Sequence, residues 1–480
     1  MKKLKRVTSM LGAVVLFFLA LLASASGKGI LEILRDKGVI TDEEYRQAID
    51  EAQGKDKQVV DQAKSEAKAE ATKVTKLPDW LNRTTFFGDI RYRHEGFYNS
   101  AIDTNNPTRN RERIRLRLGT KVEVSEELVG AVRVVSGDPG DPISTNQTLS
   151  DLFTRKPINI DWAYITLAPW KSLELDKITS LEKPPLSITA GKYPLPMFFP
   201  TESELVFDAD LSPEGVAENV VLWDRPGGLL RNVKLTAIQW SIKELSNKSP
   251  SQLFNAGDAW MFGGQLAVQM APTSESRLTL SLADYGFQRL DVLARERNTN
   301  ASLVLTNHVK RFGAAGQGGS PVSPSSLNCN PTSTIGCITG FAGGFNILNL
   351  GAQLDVPTPW KQWPLNFFVD FAHNTQAATS DDTGVWLGFR IGRAANKGDI
   401  RFTYTWARTE TDAVPSVFSY SDFGRNGGTN VMGNFIALEY VLMPRLTLSV
   451  KNHFVNFIDR PAGFHNPTQS RLQLNAALTF

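Results

Sequence analysis

Five arginines stand at alternate positions in two short stretches: Arg91 and Arg93 in the first, Arg113, Arg115 and Arg117 in the second, whose phase Lys121 continues. Alternate residues of an extended chain share a face, so each stretch presents a row of positive charge to one side. Such a row can attract and pass anions. Asp89, Glu95, Glu112 and Glu123 lie close by in sequence and would instead pair with it into a wall-stiffening ladder. Both readings stand at this level. A second group, Lys192 with Asp208, Asp210 and Glu214, suits either the narrow point of a passage or a structured turn.

Other chemistries find little support. The histidines, His94, His308, His373, His453 and His465, are dispersed and lack the HExxH or HxxxH spacing of a metal site. None accompanies a nucleophile motif, and no GxxxxGK[ST] phosphate loop occurs. No catalytic residue, metal or cofactor is therefore expected. Cys329 and Cys337 are the only cysteines, close together in a loop-like stretch. An oxidising compartment would let them pair as a local staple; otherwise they stand as free thiols.

The elements that carry the arginines have a period of two. Ile114, Leu116, Leu118, Val122 and Val124 share one phase of their stretch, with the basic residues on the other. The pattern repeats at Ile400, Phe402, Tyr404 and Trp406, at Leu365, Phe367, Val369 and Phe371, at Val385, Leu387, Phe389 and Ile391, and at Leu446, Leu448 and Val450. It closes the chain at Leu472, Leu474, Ala476, Leu478 and Phe480. One greasy face and one polar face per strand fit a membrane barrel whose polar face looks into water. An arginine on the lipid side would cost about 2–4 kcal/mol at the midplane, so the basic phase is assigned to the lumen. About 400 residues at roughly 25 per strand and connection give about 16 antiparallel strands.

Composition agrees with that class. Over 480 residues the mean hydropathy is −0.21, with no internal apolar run of the roughly 20 residues a membrane helix needs. Formal net charge is +3, and without Lys2, Lys3, Lys5 and Arg6 it falls to about −1, so no nucleic-acid partner is implied. Residues 1–25 read as an export signal: a basic start, the apolar run Leu11 to Leu22, then Ala23-Ser24-Ala25. Residues 26–78 read as a helical extension, with a capping box at Thr41-Asp42-Glu43-Glu44 and a thin coiled-coil stripe through Val60, Ala63, Ala67, Ala71 and Val74. Residues 79–480 form the barrel, and Trp80, Phe86, Trp162, Tyr164, Trp240, Trp260 and Trp363 are assigned to its interfacial girdles. The stretches 137–156 and 311–342 are loop material, the second a candidate for folding into the mouth.

Several segments together resemble a family of outer-membrane porins and, more distantly, the phosphate-selective porins with a periplasmic coiled coil. They are Phe87-Gly88-Asp89-Ile90-Arg91-Tyr92-Arg93, Ala190-Gly191-Lys192-Tyr193-Pro194, Phe207 through Val216, Phe371-Ala372-His373-Asn374, and Ser421-Asp422-Phe423-Gly424. The resemblance implies a diffusion channel of the bacterial outer membrane for small hydrophilic solutes or anions, embedded in lipid and assembling as a homotrimer. It also implies that Phe480 is read by the barrel assembly machinery. The rival is an envelope scaffold with little passage, which open-channel conductance would separate.

Overall fold

The computed structural model describes residues 35, 38, 40–50, 82–99, 108–178, 181, 184–198, 200, 202–245, 257–296, 305–312, 337–423, 428–460 and 468–480. The export signal, the coiled-coil stripe, Trp80 and Cys329, and with Cys329 the cysteine pairing, lie outside these residues. The chain divides into two units, Met1–Asn82 and Arg83–Phe480. In the first, a helix runs through 42–50 behind the expected capping box. The Thr41 N–H and Oγ1 both donate to Glu44 Oε2 at 2.8 Å, and the Glu44 N–H returns to Thr41 Oγ1 at 3.2 Å.

The second unit is built from β1 (Thr84–Tyr98), β2 (Arg109–Glu123), β3 (Leu128–Ser136), β4 (Gln147–Thr148), β5 (Ile158–Leu167), β6 (Leu186–Lys192), β7 (Glu214–Asp224), β8 (Leu230–Lys243), β9 (Ala259–Met270) and β10 (Arg277–Gln288). It continues with β11 (Val309–Phe312), β12 (Cys337–Phe341), β13 (Asn346–Val356), β14 (Leu365–Asn374), β15 (Thr383–Gly392), β16 (Ile400–Thr409), β17 (Val431–Met443), β18 (Leu446–Phe457) and β19 (Gln469–Thr479). Sixteen of these form one closed antiparallel sheet, each strand bonded to its neighbours in sequence. The two-residue β4 adds a patch beside β2, and β11–β12 is a separate hairpin. Most of the sixteen have the ten or so residues that a tilted strand needs to cross a bilayer. The seam joins β1 to β19, and Phe480 completes it: its N–H donates to Gly88 O at 3.1 Å and its carbonyl oxygen accepts the Gly88 N–H at 3.0 Å. A closed sheet leaves no unpaired edge, which is what hydrocarbon demands of a β structure.

Alternation sets the faces. Ile90, Tyr92, Leu118, Val450, Leu474 and Leu478 lie exposed on the outside, while Asp89, Glu95 and Gln473 are buried within. Short turns close one end, as at Ser125–Glu127 and at Pro444–Arg445, where Arg445 takes φ 69°. Long connections leave the other end, and among the described residues three stretches of them fold inward. They are 137–146 after β3, 193–213 between β6 and β7, and 410–423 after β16. Val206, Val414 and Ser416 have no exposed surface, and Ile143 has almost none.

Those loops correct the expectation of a wholly polar interior. They bring Leu205, Val206, Phe207, Val414, Val417 and Phe423 against inward-facing Trp240, Met261, Tyr285, Phe368, Trp386 and Phe435, making a dry core inside the barrel. Phe207 meets Trp240 and Tyr285 edge-on at 5.2 and 5.3 Å. Apolar inward residues are tolerated here because loops, not water, cover them. For the same reason Trp240 is no girdle residue, and Trp162 and Tyr164 also point inward; Phe86, Trp260 and Trp363 remain on the outside or the rim. The stretch expected to enter the mouth is described only at its flanks. There Asn307 Nδ2 donates to Thr411 O at 2.6 Å and Val414 O at 2.8 Å, tying that connection onto the 410–423 loop.

Candidate functional site: a charged lumen wall

The β1–β2 register stacks the basic residues in rows: Arg91 opposite Arg115, Arg93 opposite Arg113, Asp89 opposite Arg117. All six point inward, because the intervening Ile90, Tyr92, Ile114 and Leu116 take the outer phase. Like charges placed side by side repel, and the structure answers with interleaved carboxylates. Asp89 holds Arg115 at 2.8 Å and Arg117 at 2.5 Å. Glu95, with no exposed surface, gathers Arg111, Arg471 at 2.6 Å and Arg113 at 3.8 Å. Asp422 of the 410–423 loop takes Arg93 at 3.2 Å and Arg471 at 2.7 Å.

Two of the four nearby acids named from the sequence do not join this ladder. Glu112 lies on the outer phase, where it accepts the Tyr92 hydroxyl at 2.6 Å and contacts His94 Nδ1 at 2.6 Å. Glu123 meets Lys121 at 3.3 Å in an exposed pair at the strand end.

Arg91 is treated differently. Its Nη2 donates to Asn146 Oδ1 at 2.5 Å, an amide rather than a carboxylate, and its buried Nε has no partner. It faces a recess of about 360 Å³ that it shares with Arg93, Arg115, Arg401 and Lys451, against Glu202 and Glu439. Lys451 is likewise met by the Tyr420 hydroxyl at 2.5 Å and the Phe435 ring at 4.0 Å. Of these five cations, Arg93 is held by Asp422, Arg115 by Asp89 and Arg401 by Glu439, which leaves Arg91 and Lys451 as the two met by neutral groups.

The 193–213 loop supplies the facing acids. Lys192 fixes its root, donating to Ser212 O and Glu214 Oε1, both at 2.9 Å. Ser203 Oγ donates to Asp370 at 2.5 Å, and Glu202 pairs with Arg390 at 2.5 Å, so the loop crosses to the β14–β15 wall. Asp208 is buried and accepts the N–H groups of Ser421 and Asp210, each at 2.8 Å. Asp210 accepts from Thr145 Oγ1 at 3.0 Å and stands 3.5 Å from Arg117. Burial pushes Glu204 up to about 7, although Lys451 and the Ala209 N–H pull the other way, and it holds Asp208 well above the usual carboxylate range. For Asp422 burial is overcome by Arg471 and Arg93, which keep it ionised.

The sequence candidates thus divide. Arg91, Arg93, Arg113, Arg115, Arg117 and Asp210 converge on one side of the lumen; Asp208 packs between two loops; Lys121 and Lys192 stand at a strand end and a loop root. Arg401, Lys451 and Arg471 were not singled out, although each occupies the polar phase of its alternating strand, which is the signal that finds them. Glu202 and Arg133 carried no comparable mark. Among the described residues no cluster of three metal-ligating side chains occurs.

The profile of a family described as "Putative porin" matches residues 98–464. No curated protein matches the chain. Among solved structures, Pseudomonas putida OprB at high pH is similar with a TM-score of 0.50 at 11% identity, covering 84% of this chain and 96% of that one. Salmonella typhi OmpF in complex with daunomycin gives 0.43 at 10% identity, covering 83% and 97%.

Proposed function

The chain belongs to the porin family whose profile it matches over most of its length, and from that premise we propose that its lumen favours anions. It is a channel of the bacterial outer membrane that small solutes cross by passive diffusion. The single observation that carries the charge preference is Arg91, facing the recess beside Arg93, Arg115, Arg401 and Lys451 with an amide for its partner. Arginines matched by Asp89, Glu95 and Asp422 stiffen the wall; Arg91 and Lys451 supply the net field. Selection in this reading is electrostatic and steric, and the inward loops set the size limit. No side chain has to act as acid, base or nucleophile, so the protein is read as a non-enzymatic channel.

Export to that membrane accords with residues 1–25 as a removed signal, and Phe480, paired across the seam, is offered as the feature the assembly machinery reads. A homotrimer, with residues 26–78 as a periplasmic extension, completes the proposal. Reversal potentials of purified protein in planar bilayers under a salt gradient test the charge preference. A chloride-over-potassium ratio above one is expected, and Arg91→Gln should lower it about sevenfold, since the lost charge disfavours the anion and favours the cation alike. That is the effect of removing one unit charge about 7 Å from the ion path in water. A cation-preferring wild type would overturn the assignment.

A further inference from the structure

Rings on the water side of a barrel wall need a reason, and most of the inward ones here have it in the loops that bury them. Another set lies along a row that crosses four strands. Phe87 of β1 is opposite Gly119 of β2, Gly119 opposite Arg133 of β3, and Arg133 opposite Trp162 of β5. Gly119 is what allows the row to close. A Cβ there would lie 2.5 Å from the Phe87 ring, so only glycine lets that ring lie over β2 and reach Trp162 at 5.7 Å. Tyr164 extends the set, edge-on to Trp162 at 6.4 Å. All three rings keep part of their surface open.

Polar groups bracket them. Arg117 and Lys121 flank Gly119 on the same face of β2, each two residues and about 6.8 Å along the strand. Lys121 is 44% exposed, and its pairing with Glu123 is an exposed one of little strength. The neighbouring acids are already committed: Asp161 to Arg133, which stacks 3.3 Å over the Trp162 ring, and Asp89 to Arg115 and Arg117. A sugar would need open acceptors for its hydroxyls, and this ledge has few. It has apolar ring surface with the exposed Lys121 on one side and, on the other, Arg117 already held by Asp89 and Asp210.

We propose that this ledge is a recognition site for aromatic carboxylates. The solute's ring lies against Phe87, Trp162 and Tyr164, and its carboxylate reaches Lys121. The site rests on the channel reading and gives it a solute class.

Block of single-channel current tests it, with cinnamate, acetate and benzyl alcohol as probes. Cinnamate should half-block at a concentration about tenfold below either acetate or benzyl alcohol, which lack the ring or the charge. Trp162→Leu should erase that advantage and Trp162→Phe should keep most of it. Equal block by cinnamate and acetate overturns the ledge, as does equal block by benzyl alcohol. A Trp162→Phe loss as large as that of Trp162→Leu also overturns it, because Trp162 would then act through its 3.1 Å bond to Ser212 Oγ. Calorimetric titration of cinnamate into the folded protein keeps the two readings apart. Binding without conductance sinks only the channel; conductance without binding sinks only the ledge.

Discussion

Glu95 has no exposed surface, yet Arg111, Arg113 and Arg471 converge on it and Gln473 Nε2 donates to it at 3.0 Å. Removing one partner from a buried ion cluster leaves the others uncompensated, which costs about 3–5 kcal/mol. Glu95→Gln should therefore lower the unfolding midpoint of the barrel in a denaturant series, by more than Glu123→Gln, whose carboxylate is exposed. An equal response from the two variants would mean that the cluster contributes no more than a surface pair. Alternation marked the arginines as one face, but not which of them a carboxylate from a distant segment would neutralise. Asp422 reaches Arg93 across 329 positions of sequence, a juxtaposition that only the folded loop creates.

Among the elements, the 193–213 loop and the seam each allow a sharp expectation. Glu204 sits on that loop near Lys451, Asp208, Asp210 and Asp422 and titrates at about 7, above the ordinary 4.3 of a glutamate. A raised carboxyl favours the packed loop while protonated. Packing is therefore strongest below about pH 4.3 and weakens as pH climbs through about 7. Channel current noise from loop motion should grow over that interval and flatten in Glu204→Gln; an unchanged pH profile in the variant would remove Glu204 from the explanation. At the seam, a Cβ on Gly88 would lie 2.3 Å from Arg117 O and 2.9 Å from the Phe480 ring. Gly88→Val should reduce the yield of heat-modifiable, folded barrel in outer-membrane fractions, and a normal yield would show the seam tolerates the shift. The strands themselves were legible because their period is local: Ile114 to Val124 announces its faces without help. The inward loops were not, since Phe207-Asp208-Ala209-Asp210 reads equally as a surface turn until the opposite wall is present to receive it.

For the whole molecule, the count of about 16 strands and their closure were readable, because repetition over some 400 residues leaves few other ways to satisfy two unlike faces. The dry interior was not readable. Trp386 and Phe435 occupy the inward phase of their strands, where alternation alone places polar groups, and Val414, Tyr420 and Phe423 come from elsewhere to cover them. If the extension contributes to association, deleting residues 26–78 should shift the detergent-corrected mass toward the monomer, and an unchanged mass would assign trimer contacts to the barrel wall.

That inner cluster also gives the protein two separable tiers of order. Its contents cohere as a water-soluble globule does, while its shell is held by lipid and a continuous ladder of amide bonds. Mild urea, which weakens apolar contacts but leaves an embedded sheet intact, ought to melt the filling first. The hollowed cylinder left behind would be wider than the native one and conduct more.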